Sequence, residues 1–367
     1  MPFLKKIFIQ DFRNIAFQEL EFSPNINCIS GNNGEGKTNL MDAIWYLSMT
    51  KSAFAPADRF NVRYGAEGFA ISGTYSMQNS LESRFSLKFS PGGEKKMVRD
   101  DKAYQRISEH IGLIPIVMVS PSDTSLVSES GEERRKFVNS VLSQMDREYL
   151  AACQQYNRLL QQRNSVLRSP DSDKSLLGVF DMRMEEPARK IFQTRAEFAA
   201  KLSPAVARYY ANLSGGAEAV SITYRFDLQK GSLVDILEAG REKDFVLGYT
   251  GAGVQRDDFI FTMDGHPIRR GGSQGQQKSF LVSLKFAQYD IMKESCGFAP
   301  ILLLDDVFDK LDMTRISNLL SMVASNGSDF GQIFITDSNK VRIQGIVDGI
   351  TDDRTYFETV AGSFTRI

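Results

Sequence analysis

The chain is poor in the residues that several protein chemistries require. Its 367 residues include only three cysteines and two histidines. Cys28, Cys153 and Cys296 stand far apart, and His110 and His266 are equally isolated, so no zinc-type spacing can be assembled. Scattered, unpaired cysteines suit a reducing cytosol and read as small buried hydrophobes. No apolar run reaches the roughly 18 residues of a membrane-spanning helix. The opening Met1–Asn14 has two lysines but neither the apolar core nor the small-residue cleavage site of a signal peptide. A cytoplasmic protein with no membrane partner is therefore expected. Net charge is −1, which by itself offers no attraction for nucleic acid. Between Gly131 and Asn212, however, 14 Lys+Arg face 10 Asp+Glu, a local +4 that leaves −5 elsewhere. That bias suits either a DNA-facing lobe or a solvated helical surface.

With 42% hydrophobic and 24% charged residues the chain has enough apolar material for a large globular fold. The first segment alternates, with Leu4, Ile7, Ile9 and Phe12 followed by Ala16 to Phe22, and predicts two strands joined near Arg13-Asn14. Ile26 to Ser30 predicts a short strand, Gly31 to Gly36 a glycine-rich loop, and Lys37 to Thr50 a helix with Leu40, Ala43, Ile44 and Leu47 on one face. Alternation returns over 66–90, with a turn at Pro91-Gly92-Gly93, and Ile114 to Val119 predicts a buried strand. From Glu132 to Ala211 the pattern is helical. Val138, Leu142, Met145, Tyr149, Ala152, Tyr156 and Leu159 recur in fours and threes, the seam of a short coiled coil or bundle. Ser169-Pro170-Asp171 turns the chain into a second helical run from Ser175 to Asn212. Strands are predicted again over Val220–Phe226, Phe259–Met263, Ile301–Leu304 and Gln332–Thr336, with helices over Gln276–Lys293 and Ile316–Ala324. The resulting division is an N-terminal part of a head over 1–128, a helical lobe over 129–214, and a C-terminal part of the head over 215–367.

Three motifs carry chemistry. Gly31-Asn32-Asn33-Gly34-Glu35-Gly36-Lys37-Thr38 satisfies G-x-x-x-x-G-K-[ST] at each fixed position and lies between a predicted strand and helix. Glycines free the backbone N–H groups to wrap phosphates, and the helix N-terminus adds partial positive charge. Lys37 would reach the β- and γ-phosphates of ATP, and Thr38 would offer its hydroxyl to Mg²⁺. The second motif is Ile301-Leu302-Leu303-Leu304-Asp305-Asp306, an apolar strand ending in two acids where ligands of open α/β sheets bind. Asp305 would hold Mg²⁺ directly or through water; Asp306 would orient or deprotonate the attacking water. The third, Gly271-Gly272-Ser273-Gln274-Gly275-Gln276-Gln277-Lys278-Ser279, opens a helix and forms either an anion site or an ordinary cap.

In this order the motifs resemble those of the ABC-type P-loop ATPases. The resemblance implies an α/β head with an inserted helical lobe, in which Ser273, Gly275 and Gln276 belong to a signature loop. That loop would cover the γ-phosphate held by a second protomer, so a head-to-tail homodimer is implied. Asp309-Lys310-Leu311-Asp312 falls at the family's D-loop. Thr336-Asp337 falls at its switch histidine, which is missing here, so that role passes to Thr336 or Asp337. Lys37 and Ser273 lie 236 positions apart, much farther than in transporter subunits, and a head split by a helical insertion resembles the SMC class. The short lobe narrows the resemblance to the RecF family of bacterial recombination and replication-repair proteins. It extends over Asp11 to Asn14, Gly31 to Asn39, Ser120 to Asp123, Glu133 to Phe137, Tyr156 to Asn164, Gln255 to Asp258 and Leu302 to Asp312. Gln255 stands where the family usually has histidine, and 51–63 is poorer in basic residues than the family pattern.

The resemblance implies binding to double-stranded DNA, favouring single-strand/double-strand junctions, ATP-driven dimerisation, slow hydrolysis, and action with RecR and RecO in loading the recombinase at gaps. Asp306, one carbon shorter than the glutamate of many relatives, fits slow turnover. Arg13 and Asn14 would touch the nucleotide or simply form the strand turn. Arg134, Arg135, Arg158 and Arg163 are DNA contacts or helix-surface and intradomain ion pairs.

Overall fold

The structure is a computed structural model that describes residues 1–77, 81–90, 92, 95–169, 171–307, 331–349 and 351–367. The expected turn at Pro91 and Gly93, the D-loop Asp309–Asp312 and the helix Ile316–Ala324 lie outside the described residues. The chain divides into two units, 1–123 with 288–367, and 124–287.

The first unit holds two sheets. β1 (Phe3–Phe12) pairs antiparallel with β2 (Ile15–Glu21) and with β4 (Phe69–Ser76). β5 (Glu82–Phe89), β6 (Lys96–Arg99) and β7 (Lys102–Ala103) extend this sheet in the order β2-β1-β4-β5-β6-β7. Leu4, Ile7, Ile9 and Phe12 of β1 are buried while Lys5 and Gln10 are exposed, one covered face with strict alternation interrupted by the register shift between Leu4 and Lys6. The second sheet is built from β3 (Ile26–Ser30), β8 (Ile116–Val119), β12 (Ile301–Asp305), β13 (Ile333–Asp337), β14 (Arg354–Val360) and β15 (Ser363–Arg366), in the order β15-β14-β3-β13-β12-β8. All its pairings are parallel except β14 with β15. Every residue of β3, β12 and β13 is buried, the continuous burial expected of central parallel strands. Helix α1 (Lys37–Met49) contributes Leu40, Met41, Ala43, Ile44, Tyr46 and Leu47 to one hydrophobic core with both sheets.

The second unit packs helices on a three-stranded antiparallel sheet, β11-β10-β9, made of β9 (Val220–Arg225), β10 (Asp258–Met263) and β11 (His266–Pro267). Its helices include α2 (Gly131–Met145), α3 (Arg147–Arg168) and α4 (Leu176–Ser214), with α5 (Gln274–Cys296) beginning here and crossing the 287/288 boundary. Two sequence expectations differ from this. The continuous seam from Val138 to Leu159 is broken at Asp146, whose backbone is extended (φ −135°, ψ 108°) and whose carboxylate accepts from the N–H groups of Glu148 and Tyr149 at 2.8 and 3.0 Å. A cap of this kind ends one helix and starts the next, so the repeat spans two helices. Residues 215–287, expected with the head, cluster with the helices instead, because β9 and β10 pair with each other and not with the parallel sheet.

Candidate nucleotide site

The glycine-rich loop leaves the buried end of β3 and enters α1 at Gly36, which caps the helix at φ 114°. A side chain there would be strained by the left-handed backbone and would meet the Asn14 amide at 2.9 Å. At Gly31 a Cβ would stand 2.6 Å from the carbonyl oxygen of Thr359. Lys37 is 3% exposed, and its ammonium donates to the carbonyls of Gly31 (2.9 Å) and Asn32 (3.2 Å). Those are neutral partners, so among the described residues the ammonium is folded over the loop with no carboxylate hydrogen-bonded to it, and the nearby charge of Asp305 is its electrostatic counterpart. Thr38 Oγ1 donates to Asp305 Oδ2 at 2.9 Å, joining the first turn of α1 to the end of β12.

The two acids sit where the sequence places them. Asp305 is 1% exposed, and burial pushes its carboxyl above the usual range; the charge of Asp306 adds to this, while hydrogen bonds from Thr336 and Thr38 and the charge of Lys37 oppose it. Thr336 Oγ1 donates to Asp305 Oδ1 at 2.7 Å and accepts from the Asp306 N–H at 3.0 Å. Asp306 itself has φ 46°. The loop, the first turn of α1 and Asp306 enclose a cleft of about 310 Å³ lined by Asn33, Gly34, Gly36, Lys37, Thr38, Asn39 and Asp306. A larger cleft of about 550 Å³ lies in the same unit, lined in part by Pro2, Glu82, Arg99 and Asp100. Its charges are spent on Lys5–Glu82 and Arg99–Asp100 pairs, so the smaller cleft holds the chemistry.

The supports that the C-terminal hairpin contributes were not legible as site residues. The β14–β15 turn braces the loop: Gly362 N–H and Thr359 Oγ1 donate to the Glu35 carbonyl at 2.8 and 3.1 Å, and the Ala361 N–H donates to the Glu35 carboxylate. Glu35 is thereby bound to the C-terminal hairpin and helps shape the loop. Asn14 joins Asn39 (2.7 Å), while Arg13 pairs with buried Asp42 (2.7 Å) and donates to Ser52 (3.0 Å). Asp42 accepts from Ser52 and from the Ala53 N–H, each at 2.7 Å. Arg13 thus holds the segment after α1 in place. Asp337 is not free either: Arg342 binds both its oxygens at 2.6 and 2.7 Å.

The Ser273 loop belongs to the second unit. Ser273 Oγ accepts from the Gln276 N–H at 3.3 Å, and Gln276 Oε1 accepts from the Ser273 N–H at 2.7 Å, a reciprocal capping box on α5. Gln276 also donates to Glu218 at 2.6 Å. Ser273 remains exposed. Three of the four arginines considered for DNA are engaged within the unit. Arg134 pairs with Asp258 at 2.8 Å, Arg135 donates to the Asp257 carbonyl at 2.7 Å, and fully buried Arg163 joins Asp181 (2.6 Å) and Asp244 (2.7 Å). Arg158 is exposed. Gln255, in the histidine position, accepts from Tyr156 and donates to the Ala252 carbonyl at 2.6 Å.

A strand–loop–helix phosphate cradle, with paired acids at the end of a parallel strand of the same sheet one place removed, defines an ABC-type ATPase head. Residues 3–348 match the family model of the RecF/RecN/SMC N terminal domain. The Smc head domain of Pyrococcus furiosus shares this fold at TM-score 0.59 and 15% identity, over 100% of this chain and 96% of that one. Within that class the chain belongs to the RecF family of DNA replication and repair proteins. It is 41% identical to the RecF protein of Phocaeicola vulgatus over 99% of this chain and 98% of that protein. With the RecF of Porphyromonas gingivalis the identity is 40%, over 98% of each. The solved structure of the recombination mediator protein RecF with ATP, in the RecFOR pathway, superposes at TM-score 0.88 with 27% identity, covering 100% of this chain and 98% of that one.

Proposed function

We propose that this chain binds Mg²⁺–ATP at the Lys37–Thr38–Asp305–Asp306 cleft, hydrolyses it slowly, and uses the cycle to close and open a homodimer on DNA. The observation that carries this reading is the convergence of loop, ammonium, hydroxyl and Asp306 on one cleft, with Asp305 joined to it through the Thr38 hydroxyl. The donor set fits Mg²⁺: a threonine hydroxyl and a carboxylate oxygen, both hard oxygen ligands, already meet at 2.9 Å. Thr38 and Asp305 would hold the ion. When bound it supplies charge neutralisation on the phosphate oxygens. Lys37 would exchange its carbonyl partners for phosphate oxygens, and the loop N–H groups would wrap the same anion. Asp306 would orient the attacking water or accept its proton, and its short side chain fits low turnover.

Exposed Ser273, with Gly275 and Gln276, would meet the phosphates held by a second copy, so that two protomers share two sites. Affinity for DNA would come from phosphate contacts that read no sequence, with Arg158 as one candidate. The finer role we propose is binding at single-strand/double-strand junctions with RecR and RecO as partners and loading of the recombinase at gaps, in the cytoplasm. It is supported by the family and by the pathway in which the ATP-bound relative was solved.

The test is ATP turnover per protomer against protein concentration, with and without a short gapped duplex. Turnover should climb with concentration and again with DNA, and Ser273→Arg should retain ATP binding while losing the concentration dependence. A rate blind to concentration and DNA, in both proteins, would leave the nucleotide cleft standing and remove the dimeric clamp.

A further inference from the structure

Thr336 stands at the C-terminal end of β13, fully buried beside the end of β12. Its hydroxyl has one hydrogen, and that hydrogen goes to Asp305 Oδ1 at 2.7 Å. The oxygen's lone pairs remain for a donor, and the Asp306 N–H fills that place at 3.0 Å. The second oxygen of Asp305 is held by Thr38 at 2.9 Å. Both oxygens of one carboxylate are therefore fixed by hydroxyls from two separate elements, and the carboxylate plane cannot turn without breaking a bond. The next residue, Asp306, has a backbone φ of 46°, in the left-handed region that side-chain-bearing residues seldom occupy. The bond from its N–H to Thr336 pins the peptide that joins the two acids. A buried parallel strand is otherwise satisfied by apolar side chains, and valine would fill the same volume at 336. The hydroxyl is thus explained by what it holds.

We infer that Thr336 is a positioning residue for the nucleotide site, locking the Asp305 carboxylate toward the metal and setting the backbone from which Asp306 meets the attacking water. It acts through these two acids and touches neither nucleotide nor metal. The inference rests on the Mg²⁺–ATP reading proposed above. It also divides the work at the position of the missing histidine: Asp337 is spent on its ion pair with Arg342, and Thr336 reaches the acids.

The test uses the full chain and the variants Thr336→Val, Thr336→Ser and Thr336→Cys. ATP binding is titrated with Mg²⁺, and turnover is measured beside it. Thr336→Val should raise the Mg²⁺ concentration for half-maximal ATP binding by roughly 10–100-fold, with a comparable fall in kcat, as losing a partner of a metal-ligating carboxylate does. ATP binding in EDTA should be unchanged. Thr336→Ser, which keeps the hydroxyl, should restore the wild-type Mg²⁺ requirement. If the valine variant does not fold, Thr336→Cys, a weak donor of similar size, should show an intermediate Mg²⁺ requirement. A valine variant with the wild-type Mg²⁺ requirement, a cysteine variant with that requirement, or a serine variant as impaired as valine would overturn the assignment. A different result would remove the underlying nucleotide reading and this inference with it: wild-type ATP binding indifferent to both Mg²⁺ and Lys37→Met.

Discussion

Both units bury charged side chains and pair some of them internally (Asp42 with Arg13 and Asp337 with Arg342 in the first), but the nucleotide cleft of the first unit treats its own differently from the core of the second. In the second unit each deeply buried arginine meets carboxylates: Arg163 joins Asp181 and Asp244, and Arg195 joins Asp257 at 2.7 Å. In the first unit buried Lys37 donates only to neutral carbonyls among the described residues, and buried Asp305 accepts only from hydroxyls. A charge removed from water needs compensation nearby or it is costly. The second unit supplies that compensation from its own chain, so its buried charges serve the fold. The first leaves a cation and an acid incompletely matched across a cleft, an arrangement that phosphate and a divalent cation would complete.

The largest expected effect follows from the uncompensated side. Lys37→Met removes the cation but keeps a long apolar stem in a nearly closed position. ATP binding and turnover should be lost, while the melting temperature holds or rises, because among the described residues no carboxylate hydrogen-bonded to Lys37 is orphaned. Isothermal titration with ATP beside a thermal melt checks both halves. A variant that binds ATP like wild type, or that melts much earlier, would contradict the contrast drawn between the units.

Next comes the compensated side. Arg163→Met leaves Asp181 and Asp244 buried without their main partner, and breaking such a pair costs about 3–5 kcal/mol. Denaturant unfolding should show a loss of that size in the second unit. A triple variant, with both acids also made neutral and apolar, should recover much of it. A single variant with unchanged stability would mean that the buried network is not structural.

How much of this could be read beforehand depended on the range of the interaction. The P-loop and the acids of β12 were legible because each motif is continuous and its chemistry needs fixed residue types at fixed spacing. Helix starts were legible where a capping residue marks them, but Asp146 was passed over because the apolar repeat runs through it. Hidden altogether were partners far apart in sequence: Thr359 and Gly362 against Glu35, and Asp257 against Arg195. Arg134 and Arg163 read as candidates for DNA because a basic residue in a helix looks the same whether it faces solvent or an acid from another element. Pairing of distant residues follows from tertiary packing, which a local pattern does not encode.

The smallest effect concerns a buried group that follows neither pattern. His110 is fully buried in the first unit, its Nε2 2.6 Å from the Leu47 carbonyl and its Nδ1 3.2 Å from the Tyr104 hydroxyl. No carboxylate among these contacts would hold a second proton. Burial lowers its pKa from 6.5 to about 4, the Leu47 bond opposing and the charge of Arg99 adding to the shift. The folded pKa is depressed, so the stabilisation is complete above the unfolded value near 6.5 and is lost as pH falls toward 4. At about 1.4 kcal/mol per pH unit the loss across that window is on the order of 3 kcal/mol. His110→Asn lacks the titrating ring. The free-energy gap between wild type and this variant should therefore narrow by that amount between about pH 7.5 and 4. Carboxylates also titrate there, but they do so in both proteins and cancel in the difference. A gap constant with pH would show that His110 takes up its proton in the fold as readily as in the unfolded chain, and that the first unit accommodates this cation after all.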